Sequence, residues 1–173
     1  IQDIELSWFS EATADMLYAL NGKIATKLNF SGTMSKPQVH GMVYFDGAQV
    51  GVSMLHTKYT LDDSIQITPE AITLNKVTVR DENRHTLVAN GTITHNWFID
   101  LNPQINLTMS DFQVLNNPKQ TDSLLYGTLR LNGLMNIKKS KNDWLMTGTV
   151  THGNNSKVTV NIPYSASTAA RYN

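Results

Sequence analysis

From Gly22 onward, apolar and polar side chains alternate with a period of two, and no other feature of this chain restricts its fold as much. Ile24, Thr26, Leu28 and Phe30 interleave with Lys23, Ala25, Lys27 and Asn29. Trp97, Ile99, Leu101, Pro103, Ile105, Leu107 and Met109 interleave with Asp100, Asn102, Gln104, Asn106 and Thr108. Leu125, Leu129, Leu131, Met135 and Ile137 share a parity with Gly127 and Gly133, and Trp144, Met146 and Val150 share one with Gly148. Val158, Val160 and Ile162 close the series. Successive side chains of a strand point to opposite faces, so the rhythm predicts strands with one apolar and one solvated face. Such strands suit an antiparallel sheet, because parallel sheets are covered on both sides. The runs 97–109 and 124–137 are longer than the usual five or six residues of a strand. At about 3.3 Å per residue each would reach roughly 40 Å. Pro103 lacks an N–H, which predicts an edge position or a bend there.

Ahead of Gly22 the period is 3.6. Phe9, Ala12, Met16 and Leu20 fall on one helical face over residues 7–20, with Ser7 or Ser10 as a cap and Gly22 as a stop. A short N-terminal amphipathic helix is expected. The clusters Ser35-Lys36-Pro37, Phe45-Asp46-Gly47, Asp62-Asp63-Ser64, Asp81-Glu82-Asn83, Asn116-Asn117-Pro118, Lys141-Asn142-Asp143 and Gly153-Asn154-Asn155 read as turns. The organisation expected is a lead-in over 1–21, a sheet over 22–163 and an unstructured or cut end over 164–173. The chain starts at Ile1, shows no signal peptide or membrane-length apolar run, and ends on small residues from Tyr164 to Arg171. These features suit an internal piece of a longer protein.

Composition narrows function. Lys plus Arg and Asp plus Glu both number 14, for a net charge of zero, which offers nucleic acid no basic field. Charged residues make up only 16% of the chain, with Asn, Thr and Ser in their place, a balance more typical of extracytoplasmic β-proteins. The absence of cysteine fits either a reducing compartment or an envelope protein without disulfides. His40, His56, His85, His95 and His152 lack metal-ligand spacing, and no nucleophile elbow, phosphate loop or dinucleotide fingerprint is present. The chain reads as a protein that is not an enzyme and holds no metal or cofactor.

A long apolar face must be hidden. A second sheet packed over it, as in a sandwich, is one solution. A curved sheet whose inner face takes an apolar ligand is the other. Gly32-Thr33-Met34, Gly91-Thr92-Ile93, Gly127-Thr128-Leu129 and Gly148-Thr149-Val150 place glycines within strands, where they leave gaps and permit curvature. On the second solution the lining would come from Ile24, Leu28, Phe30, Ile99, Leu101, Ile105, Leu107, Leu125, Leu129, Leu131, Met135 and Ile137. Asn106, Thr108 and Arg130 would face away.

The order of several short signatures resembles the TamB-like proteins, relatives of the AsmA group. Gly32, Pro37 and Gly41 are similar to that family's strand–turn–strand. Tyr59, Leu61, Asp63, Ile65 and Ile67, then Asp81, Asn90-Gly91-Thr92-Ile93 and Phe98, resemble its C-terminal region. So do Asp111-Phe112, Val114-Leu115-Asn116, Tyr126-Gly127 and Gly133. The likeness runs over most of 22–163. It implies an open, greasy β-taco in a protein anchored in the inner membrane and extending through the periplasm. It implies phospholipid as cargo and, through the full-length protein, an Omp85-type outer-membrane partner (TamA) and a role in outer-membrane protein assembly. The expectation is an all-β, long, curved, mainly antiparallel sheet forming an open hydrophobic groove that binds acyl chains, with membrane contact through parts absent here. Two rivals stand beside it: a β-strand chaperone for outer-membrane barrel proteins, acting by strand addition, and a carbohydrate-binding or adhesive sandwich. The scattering of Trp8, Trp97 and Trp144 gives the last no aromatic platform.

Overall fold

The computed structural model describes residues 2–13, 15–33, 36–96, 99–118, 125–140 and 143–160. Eleven strands follow one another: β1 Gln2–Glu5, β2 Leu17–Thr33, β3 Lys36–Val52, β4 Thr57–Leu61, β5 Ser64–Ile67, β6 Ala71–Asp81, β7 Thr86–Asn96, β8 Ile99–Asn117, β9 Leu125–Ser140, β10 Asp143–His152 and β11 Lys157–Val160. All join one antiparallel sheet in the order β1-β2-β3-β4-β6-β7-β8-β9-β10. β5 continues β4 between β3 and β6, and β11 follows β10 along β9. The sheet is a meander because short connections can only join antiparallel neighbours.

The expected helix over 7–20 is replaced by something shorter. Leu6–Phe9 form a 3-10 turn and Ser10–Thr13 a single α-helical turn, and from Leu17 the chain is strand. An isolated short helix gains little, since nucleation is costly. Pairing Leu17 with Val52 and Tyr18 with Gly51 instead joins the ladder and buries Leu20. Of the expected helical face, Phe9 and Met16 are left exposed while Leu20 is buried.

Three of the expected turns are bends within through-running strands. Asp46-Gly47 lies inside β3, Asp62-Asp63 separates the collinear β4 and β5, and Gly153–Asn155 separates β10 from β11. Gly47, Lys76, Asp111 and Asn155 have positive φ. The registers slip between Leu74 and Val77 and between Met109 and Phe112, as bulges that sharpen a bend do. Asp81–Asn83 does reverse the chain, between β6 and β7. Pro103 sits within β8, opposite Ile93 of β7, and pairing with β9 begins one residue later, at Gln104. The missing N–H therefore falls where that ladder ends.

Direct cross-strand partners share a face. Following the registers across the sheet, Thr26, Val43, Ile65, Leu74, Gly91, Ile105, Ile137 and Met146 form one line on one face. A parallel line runs through Val77, Ala89, Leu107, Met135 and Gly148. Val39, Val43, Ala48, Val77, Ala89, Ile105, Met109, Phe112 and Leu115 are buried. One sheet can bury its own face only by curling. The curl is direct between β4 and β8, where the Tyr59 and Phe112 rings stack with centroids 5.1 Å apart although β6 and β7 separate these strands in the sheet. Glycine permits the curl at Gly91, where φ is +148° and a Cβ would run into the Gln104 carbonyl.

Candidate functional site

The concave face is lined mainly by apolar side chains, and its accessibility grades from one side to the other. In the line through Ile105, that residue is 9% exposed, Ile137 on β9 is half-buried, and Met146 on β10 is 63% exposed. The same gradient runs from Ala89, buried, through Leu107 and Met135, half-buried, to Gly148, exposed. Nothing lies beyond β10 among the described residues. The trough is thus packed against itself on its β3–β8 side and opens toward β10. A cavity of about 770 Å³ lies where β8, β9 and β10 adjoin, bordered by Asn106, Leu107, Leu134, Met135, Asn136 and Thr147, residues of both parities.

Ile24, Leu28, Ile105, Leu107, Leu129, Leu131, Met135 and Ile137 lie on the concave parity, Ile105 buried and the others half-buried. Leu101, Leu125 and Phe30 share that parity but stand at the margins, and Phe30 is 74% exposed. The side chain of Ile99, like Trp97 and Phe98, lies outside the described residues. Asn106 and Thr108 have the opposite parity and are exposed. Arg130 also has it but is engaged rather than free, its Nη1 donating to Asp111 Oδ2 at 3.3 Å. Sequence reasoning passed over Val43, Ile65, Ile67, Ile72, Leu74 and Val77, which continue the same lining. Their signal is alternation, as in Ile65-Gln66-Ile67 on the four-residue β5 and Ile72-Thr73-Leu74 on β6.

One wall is closed by a polar clasp. The β6–β7 hairpin is shorter than its neighbours, so β4 and β8 meet beyond its tip. Tyr59 donates its hydroxyl to the Gln113 carbonyl at 3.0 Å, and burial pushes its pKa above the usual tyrosine value. Asp81, 3% exposed, accepts from the backbone N–H groups of Asn83, His85 and Gln113. The His85 ring stands between Asp81 Oδ2 at 3.2 Å and Asp111 Oδ2 at 3.3 Å. Asp111 Oδ1 also accepts from the Asn154 N–H. These bonds replace ladder bonds lost at the bend, which is what buried backbone groups require. Among the described residues, no three His, Asp or Glu side chains are placed to hold a metal.

The convex face carries a row of neutral polar side chains across β7, β8 and β9. Asn90 pairs with Asn106, which pairs with Asn136, and the Asn136 amide donates to Asn106 Oδ1 at 3.0 Å. One face is thus suited to water and the other to alkyl groups. No helix among the described residues is long and apolar enough to cross a membrane.

Comparison with known proteins adds one finding. The family model of the TamB C-terminal domain matches residues 75–172, from β6 to beyond β11, more than half of the chain. No curated protein and no solved structure matches it.

Proposed function

The chain belongs to the TamB C-terminal domain family, a cell-envelope family of non-enzymatic transport and assembly modules, and from that premise we propose that its concave face binds the acyl chains of phospholipid as one stretch of a conduit across the periplasm. The observation that carries this is the line from Val43 to Met146, which crosses seven strands, is apolar but for the gap at Gly91, and is only partly covered by the protein itself. An acyl chain laid along it removes water from Ile137, Met135 and Met146 as well as from itself, at roughly 0.8 kcal/mol per methylene buried. Adjacent positions in the line are alike, so a displaced chain exchanges one aliphatic contact for another and meets no deep well. Head groups stay at the open margin in water, because burying an unpaired charge is costly. The mechanism requires no nucleophile or metal. In the full-length protein, an Omp85-type outer-membrane partner would receive or be assisted by this segment.

The test exploits parity. A photo-crosslinking residue at Ile137 or Met135 should capture phospholipid in cells, and one at Asn106 or Thr108 should not. Equal capture at both parities would sink the reading, since it would report general membrane contact. Absence of lipid at Ile137 and Met135 would sink it as well.

A second reading, strand addition to a client, has its own observation. β10 is a ten-residue edge with no proline and no charge between Asp143 and His152, and Trp144, Leu145, Met146 and Val150 are exposed. Such an edge can pair with another strand. Saturable binding of an extended barrel-strand peptide, abolished by Leu145→Lys with Thr147→Pro, would favour this reading over the conduit.

A further inference from the structure

A second concavity lies on the convex side, away from the apolar lining, and its chemistry is different. It has a volume of about 720 Å³ and is lined by the cations Lys58, Arg80 and Arg84, the carboxylates Asp62, Asp81 and Glu82, and the neutral Gln49 and Thr60. The registers explain the grouping. Gln49 of β3 pairs with Thr60 of β4, Thr60 with Arg80 of β6, and Arg80 with Thr86 of β7. Arg80 is therefore held, half-buried, in a row of neutral hydrogen-bonding side chains. Arg84 stands above it in the β6–β7 turn at φ +66°.

The carboxylates nearby are already committed. Asp62 accepts from the Gly47 N–H. Glu82 faces Lys58 at 3.8 Å. Asp81, which precedes Glu82, is turned into the clasp, where it accepts from three backbone N–H groups and the His85 ring. Arg130 has Asp111, whereas neither Arg80 nor Arg84 has an ion pair among the described residues. Two guanidinium groups thus line one concave, polar space whose carboxylates are each engaged elsewhere, and neither guanidinium is ion-paired with them. Guanidinium presents planar forked donors that match phosphate oxygens, and threonine hydroxyls and a glutamine amide add neutral donors. The volume lies in the range of small-molecule sites and exceeds what a bare ion fills.

We propose that this cavity binds an esterified phosphate, with Arg80 and Arg84 on the phosphate oxygens and Lys58, Thr60 and Gln49 around its substituent. The shared chemistry covers a phospholipid head group and a free soluble organophosphate. The assignment is independent of what the concave face carries, since Gln49, Lys58, Thr60 and Arg80 lie on the opposite parity.

Isothermal titration of the 173-residue chain with glycerophosphoethanolamine tests it. Binding should saturate, and should weaken about tenfold or more in Arg80→Gln/Arg84→Gln, as expected when charge-assisted bonds are lost. It should be unchanged in Lys27→Gln, at an exposed outer position of β2. Arg84→Gln alone, in a turn outside the ladder, should show part of the loss with an unaltered circular dichroism spectrum. Inorganic phosphate should bind more weakly than the diester. Co-sedimentation with phosphatidylethanolamine vesicles that is lost in the double variant identifies a lipid head group as the source. Saturable diester binding without co-sedimentation identifies a free organophosphate. Absence of saturation, equal binding by the double variant, or inorganic phosphate binding as tightly as the diester would overturn the proposal.

Discussion

Asp81 shows how much a single buried side chain can organise. Its carboxylate is almost fully removed from solvent, yet backbone N–H groups of three residues and the His85 ring point at it. Asparagine would keep the shape but put an NH2 group against donors. Asp81→Asn should therefore lower stability by about 2–3 kcal/mol, the range for an unsatisfied buried hydrogen-bonding group, measured as a shift in urea midpoint at constant slope. A wild-type midpoint would show that the clasp is not needed. Tyr59 is the second case. Its raised pKa comes first from burial, so its phenol should ionise above the ordinary tyrosine value in an ultraviolet alkaline titration. The folded state holds that proton more tightly than the unfolded one, so stability is intact below about pH 10 and falls as pH rises through the folded value. Tyr59→Phe should remove this alkaline slope.

At the scale of the element, the long strands stay continuous by bending, and aspartates stand at the bends. Between β4 and β5, Asp63 accepts from the Ser64 N–H at 2.8 Å and, from β6, the Thr78 N–H at 3.1 Å. Asp62 accepts from Gly47 of β3. Each carboxylate thus bridges to the strand beside it where the ladder is interrupted. Asp63→Ala should cost about 1–3 kcal/mol. It should also raise hydrogen exchange at Thr78 without changing exchange at Leu107 in the middle of β8. Loss confined to neither place, or spread evenly over the sheet, would argue that the bend is held by other means. The same clusters explain why residue types signalled turns: Asp-Asp and Asp-Gly suit any departure from a regular ladder. Whether the chain reverses or only kinks depends on where the neighbouring strand continues.

For the whole molecule, the gradient of burial across the concave face separates positions that pack from positions the proposed conduit would use. Ile105 is buried and Ile137, its neighbour on β9, is half-buried toward the open side. An arginine at Ile105 lacks both water and a partner, which costs several kcal/mol, and Ile105→Arg should not fold. Ile137→Arg can reach solvent along the open side. It should fold, with little change in circular dichroism, and fail to support lipid passage in the full-length protein. Asn106→Arg, on the convex face, should do neither harm. A folded and transport-competent Ile137→Arg protein would count against the conduit.

Alternation determined the strands, their antiparallel pairing and the shared parity of Ile105, Leu107, Met135 and Ile137, because the direction of a side chain from a strand is a local property of the backbone. The order of short signatures likewise carried the family. Three things were decided only by the tertiary structure. Residues 17–20 joined β2 rather than a helix, because Val52 and Gly51 offered a ladder that no local periodicity encodes. The sheet covered its own face by curling instead of recruiting a second sheet, bringing Tyr59 of β4 onto Phe112 of β8 across the β6–β7 hairpin. Tyr59, Asp81, His85, Phe112 and Arg130 came together for the same reason. Contacts across a curled sheet depend on how registers align over several strands, and register is a relation between segments.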